Sequence, residues 1–142
     1  MLSSTLQPMH VMVAHIRWVM VISGVLTSTM VHAALAPDAA MMSSFGETLT
    51  GPAATLVVRS WGALIALVGL MLIYGAFVPQ TRTLVLIVAA ASKAFFVGLV
   101  LSHGTRFLGY QAGIAVIIDS VIVLLFGWYL LAAGTPKGDS HD

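Results

Sequence analysis

Four apolar runs, each near or above the roughly 20 residues a helix needs to cross hydrocarbon, govern what this chain can become. They cover about residues 11–35, 55–78, 83–102 and 112–133. Backbone in lipid must satisfy its own hydrogen bonds, so runs of this length are expected to be helices. Charged residues make up 8% of the chain and hydrophobic ones 59%, whereas a soluble domain carries about 25% charge. A chain of 142 residues keeps too large an exposed fraction to hide that much apolar surface from water. The expected solvent is therefore a bilayer. The expected class is all-α, a single transmembrane domain over residues 1–142 with a polar tail at 134–142.

The connections set the topology. Residues 36–54 hold Pro37, Gly46, Gly51 and Pro52 and read as the longest link, with room for a short amphipathic helix on the membrane surface. Pro79-Gln-Thr-Arg82 reads as a tight link in which Pro79 ends the second helix. His103 to Gln111 forms a short aromatic and basic turn. Short links favour antiparallel neighbours, so an up-down four-helix bundle is expected. Arg17 before an apolar run and the small-residue pattern Val31-His-Ala33 resemble a cleavable signal. The apolar stretch begins before Arg17 and is long enough to span, which favours a retained helix. Arg17, Arg82 and Lys137 on one face outweigh Arg106 on the other. That bias places both termini in the cytoplasm.

Arg59, Lys93 and Asp119 lie inside the apolar runs, and a charge in hydrocarbon calls for a partner or a site. At 1.5 Å per residue, Arg59 lies about 6 Å and Asp119 about 10 Å below the non-cytoplasmic surface. Lys93 is near mid-helix, and its long stem brings it within reach of Asp119. The expectation is a Lys93–Asp119 pair with Arg59 above it, sharing the carboxylate. A structural ion pair that fixes helix order competes with a ligand or proton site.

His32 and His103 fall near one end of two different helices, a layout that suits haem b ligation across a bundle. The alternative function is thus a redox anchor holding haem or quinone near His32, His103, Arg59 and Arg106. Histidines at helix ends more often bond headgroups or loops. His10 and His15 lie near the cytoplasmic end, and His141 in the tail is assigned nothing. Gly62, Ala66 and Gly69 form a small-residue strip, as do Ala89, Ala90, Ala91 and Ser92. Such strips let helices approach closely in lipid. Trp18, Trp61, Tyr74, Tyr110, Trp128 and Tyr129 suit interfacial belts.

Several chemistries lack their residues. The chain has no Cys, no phosphate loop, no His-Glu-x-x-His and a net charge of +1. Thiolate metal sites, disulfides and nucleic-acid partners are not expected. Two-carboxylate acid–base catalysis is equally unexpected, because Asp119 is the one acid at membrane depth.

Arg59-Ser-Trp-Gly62 leads into a Gly-rich apolar helix, then a Lys-bearing helix, then one with a single acid. This stretch resembles the small four-helix DoxX-like membrane proteins. Its layout is also similar to the sterol-biosynthesis scaffold proteins of the endoplasmic reticulum, which carry Arg-x-x-Gly near the start of the second helix. The resemblance covers about residues 55–131 and implies an accessory or scaffold protein rather than an enzyme acting alone; the reticulum setting is not carried over. The leading expectation is a non-catalytic bundle in a bacterial inner membrane, binding lipid, a partner subunit or further copies of itself through the polar cluster. A small transporter or proton-conducting oligomer using Lys93 and Asp119 is a third possibility.

Overall fold

The computed structural model describes residues 7–134, with side chains for all but 7–10, 12 and 13. The tail with Lys137 and His141, and the ring of His10, lie outside the described residues. Six helices and no strand are present among those residues. They are α1 (Gln7–Ser28), α2 (Val31–Leu35), α3 (Pro37–Phe45), α4 (Pro52–Phe77), α5 (Pro79–Ser102) and α6 (Gln111–Ala133). Four spans are long and apolar enough to cross a membrane: Ala14–Leu35, Pro52–Phe77, Pro79–Ser102 and Gln111–Ala133. The protein is an all-helical, integral-membrane-type bundle, as expected.

The first span is broken rather than continuous. Thr29 Oγ1 donates to the Leu26 carbonyl at 2.6 Å. Met30, His32 and Ala33 each bond three residues back instead of four. Side-chain competition for a carbonyl and tightened turns both bend a helix, and here they re-aim α2. No Gly or Pro marks the bend. The second link also departs from expectation. Pro79 opens α5 instead of ending α4, since the first helical position needs no N–H and suits its fixed φ. Val78 alone, extended at φ −114°, joins the two helices.

Packing follows the small residues. A Cβ placed on Gly62 would meet the Ala33 Cβ and Ala34 N at 2.7 Å. One on Gly69 would lie 2.6 Å from the Ser28 N. The α4 strip is thus the seat of α1 and α2. Close backbone approach is the main source of helix attraction in lipid, where apolar burial alone gains little. In the α5 strip, Ala89 is buried but Ala91 and Ser92 are exposed.

α4 touches α1 and α5, and α6 touches α5 and α1, so α1 and α5 stand diagonally across the bundle. At the end near Val78, Ile16, Met20, Leu72, Leu86 and Phe126 close an apolar core. At the opposite end α3 packs on α2, α4 and α6. It is the short helix that the 36–54 link has room for, and it roofs the bundle there. Gly46 stops it in the left-handed region at φ 71°, with the Tyr110 ring packed where a side chain would go. Leu84, Phe95, Leu124 and Trp128 are among many exposed apolar side chains ringing the outside. That belt suits acyl chains.

Candidate functional site

The inward stripe of α5 runs through Leu86, Ala89 and Lys93, and that of α6 through Val116, Asp119 and Ile122. Both charged residues therefore point into the bundle. Lys93 Nζ donates to Asp119 Oδ1 at 2.6 Å and to Thr27 Oγ1 of α1 at 3.1 Å. The two charged side chains are 9% and 16% exposed. A charge-assisted bond this short, at such burial, is the kind that holds its geometry. The pair joins α5 to α6, and the bond to Thr27 ties both to the diagonal helix α1. An ammonium has three donors, of which two are engaged; an ionised carboxylate has acceptor capacity beyond one bond.

The ion pair stands in the wall of a central cavity of about 460 Å³. α1, α4, α5 and α6 wall this space and Phe45 of α3 closes it above. Apart from Lys93, Asp119, Thr27 and a few neutral polar groups, its lining is apolar. A second, almost wholly apolar cavity of about 310 Å³ separates α4 from α5 near α3. Phe45, Trp61 and Phe96 line both and form the partition. Phe45 stacks edge-on against Phe107 at 5.4 Å and tilts toward Trp61 at 6.2 Å.

Arg59 does not join the cluster. It is exposed and forms no hydrogen bond or ion pair among the described residues. The inward stripe of α4 runs through Val58, Gly62, Ala66 and Gly69. One residue past Val58 turns the side chain about 100° away, toward the outside. The expected haem pair is not assembled either. His103 lines the smaller cavity, its Nδ1 2.8 Å from the Leu99 carbonyl, while exposed His32 lines neither cavity. Arg106 turns outward to Glu47, a pair of exposed residues that bridges the loop after α3 and the loop before α6. Among the described residues no group of three or more His, Asp or Glu is placed to hold a metal ion.

Three functional-looking polar groups escape sequence reasoning. Thr27 looks like any membrane threonine, and only its one-turn spacing from Ser23 hints at an inward polar stripe. Ser23 is 1% exposed, and its hydroxyl has no partner among the described residues. Arg82, read from sequence as the end of a tight link, is 7% exposed. Its Nη2 donates to the Ala76 carbonyl at 2.9 Å and its Nε to that of Gly75 at 3.3 Å. It thereby caps the α4 C-terminus, where carbonyls lack partners and the helix dipole favours a cation. A basic residue one turn after a Pro-initiated helix, across a one-residue link, is the signal that points to it.

No protein-family model, curated protein or solved structure matches this chain.

Proposed function

We propose that this protein is a non-catalytic membrane-embedded binding protein that holds a small amphipathic molecule in its central cavity, its polar head against Lys93, Asp119 and Thr27. One observation carries the reading: the buried ion pair faces a mostly apolar cavity between the helices. Its volume, about 460 Å³, falls within the roughly 300–1,000 Å³ of small-molecule sites. A few polar groups converging in an apolar pocket is the usual form of such a site. A partner helix docking from lipid would meet the outer apolar belt and not these charges. Of lipid and protein partner, small lipid-like molecules are therefore the better fit. The accessory role implied by the DoxX-like resemblance agrees with this, in a bacterial inner membrane with both termini cytoplasmic.

The competing functions draw less support. A haem anchor needs two axial ligands facing one space, and His32 and His103 do not. A transporter needs a polar route onward, whereas Ile16, Met20, Leu72, Leu86 and Phe126 block the bundle below the cavity.

Native mass spectrometry of the protein extracted in mild detergent tests the proposal. A retained small-molecule adduct is expected on the natural protein. Ala115→Phe, which puts a ring into the cavity wall, should abolish it while the fold persists. An adduct of equal abundance in folded Ala115→Phe would overturn the reading.

A further inference from the structure

We propose that the occupant of the central cavity is an uncharged amphiphile whose head both donates and accepts hydrogen bonds, and that Lys93 and Asp119 exclude charged lipids by neutralising one another, Asp119 against anions and Lys93 against cations. The inference rests on the binding-protein reading above and adds the chemical class of the ligand.

Charge balance is the first argument. Lys93 and Asp119 cancel one another at 2.6 Å. No third charged residue among the described residues faces the cavity, because Arg59 points outward and Arg106 is held by Glu47. A charged head arriving there would be a lone charge in a low-dielectric space, left without a partner. Hydrogen-bond capacity is the second. One Lys93 N–H and the Oδ2 of Asp119 have no partner among the described residues. They offer a donor and an acceptor side by side. A hydroxyl answers both with one atom, and a glycerol head answers both with two. An ether or simple ester would satisfy only the ammonium.

The route of entry fits a single-chain lipid. Leu26 of α1, Thr29 just after it, and Ile114 and Ile118 of α6 line the cavity and are also exposed on the outside. These four mark a lateral mouth between α1 and α6, opening to acyl chains. The head lies inside at the ion pair while the tail leaves through the mouth. The buried hydroxyl of Ser23, one turn below Thr27, continues the polar stripe away from that mouth.

Three probes with one oleyl-type tail separate the possibilities: 1-monooleoylglycerol, oleyl sulfate and oleyl trimethylammonium, the last two charged at every pH. Binding to the purified full chain in nonionic detergent is read by native mass spectrometry and by thermal shift. The natural protein should prefer monooleoylglycerol to either charged probe by about tenfold or more, the scale on which one unpaired charge is felt. Asp119→Asn leaves Lys93 uncompensated and should reverse that preference toward the sulfate. Lys93→Met leaves Asp119 uncompensated and should gain the ammonium probe. Equal or tighter sulfate binding by the natural protein would overturn charge exclusion while leaving the site intact. No binding of any probe would overturn the site itself. A folded Asp119→Asn that still refuses the sulfate would overturn the role given to Asp119. Should that variant fail to fold, the ammonium gain in Lys93→Met decides, and its absence counts against the proposal.

Discussion

Lys93 spans the bundle because a four-carbon stem carries its charge to a carboxylate on one neighbour and a hydroxyl on the diagonal helix. Removing one member of such a buried pair strands the other, which costs about 3–5 kcal/mol, whereas replacing both with apolar isosteres approaches neutrality. Lys93→Met and Asp119→Asn should therefore each lower stability by about that amount, and the double substitution by markedly less. Thermal unfolding in detergent measures this, and additive losses would mean the pair carries no coupling. Arg82 makes the complementary case, since its guanidinium caps carbonyls with no other partner. Arg82→Gln should cost about 1.5–3 kcal/mol, the worth of hydrogen bonds to a charged group. A melting temperature equal to the natural protein's would show that water or headgroups replace the cap. At this scale, depth along a helix was legible in the sequence and rotation about it was not. Counting residues correctly brings Lys93 to Asp119, yet the same count expects Arg59 beside them, and its azimuth sends it outside. Arg82 fails for a different reason: a loop arginine reaching back to the preceding helix depends on a one-residue turn.

Glycine spacing decides how the elements meet. Gly24 of α1 and Gly69 of α4 cross with backbone against backbone, so added bulk has nowhere to go. A Cβ on Gly69 would sit 2.6 Å from the Ser28 N, where relief requires the helices to part. Gly69→Val should cost at least about 3 kcal/mol, the upper end of overpacking penalties, read as loss of folded protein in detergent. Gly98 is the control, with nothing within 4 Å of an added Cβ. Gly98→Ala should gain about 0.5–1 kcal/mol from reduced backbone entropy. Comparable losses in both variants would mean that helix propensity, not contact, governs the glycines. The strip Gly62, Ala66 and Gly69 was readable because small residues at helical spacing have one common use in lipid. The break after Ser28 was not, since Thr29 and Met30 carry no helix-breaking character. It arises from a hydroxyl taking the Leu26 carbonyl and from the pull of α2 onto Gly62.

The whole molecule divides into a closed end and an open one. Near Val78, a one-residue link, the Arg82 cap and the core around Met20, Leu72 and Phe126 hold all four spans together. Toward α3, two cavities part the helices, and the Lys93 bridge and the α3 roof supply the cross-links. Span number and up-down order were legible from apolar length and short links. The cavities were not, because empty volume is a property of how side chains fail to fill the space between helices. Such an arrangement places compliance at the ligand end, and the mouth between α1 and α6 is where it should be seen. The chain has no Cys, so paired spin labels can be introduced without removing any native thiol. Labels at exposed Leu26 and Ile114 flank the mouth, and labels at exposed Trp18 and Leu124 sit toward the closed end. The first pair should give a broad distance distribution that narrows when monooleoylglycerol is added. The second should be narrow throughout, since the packed core leaves those helices one arrangement. Equal widths at both ends, unchanged by lipid, would mean that the bundle is uniformly rigid and that entry to the cavity needs no opening of this seam.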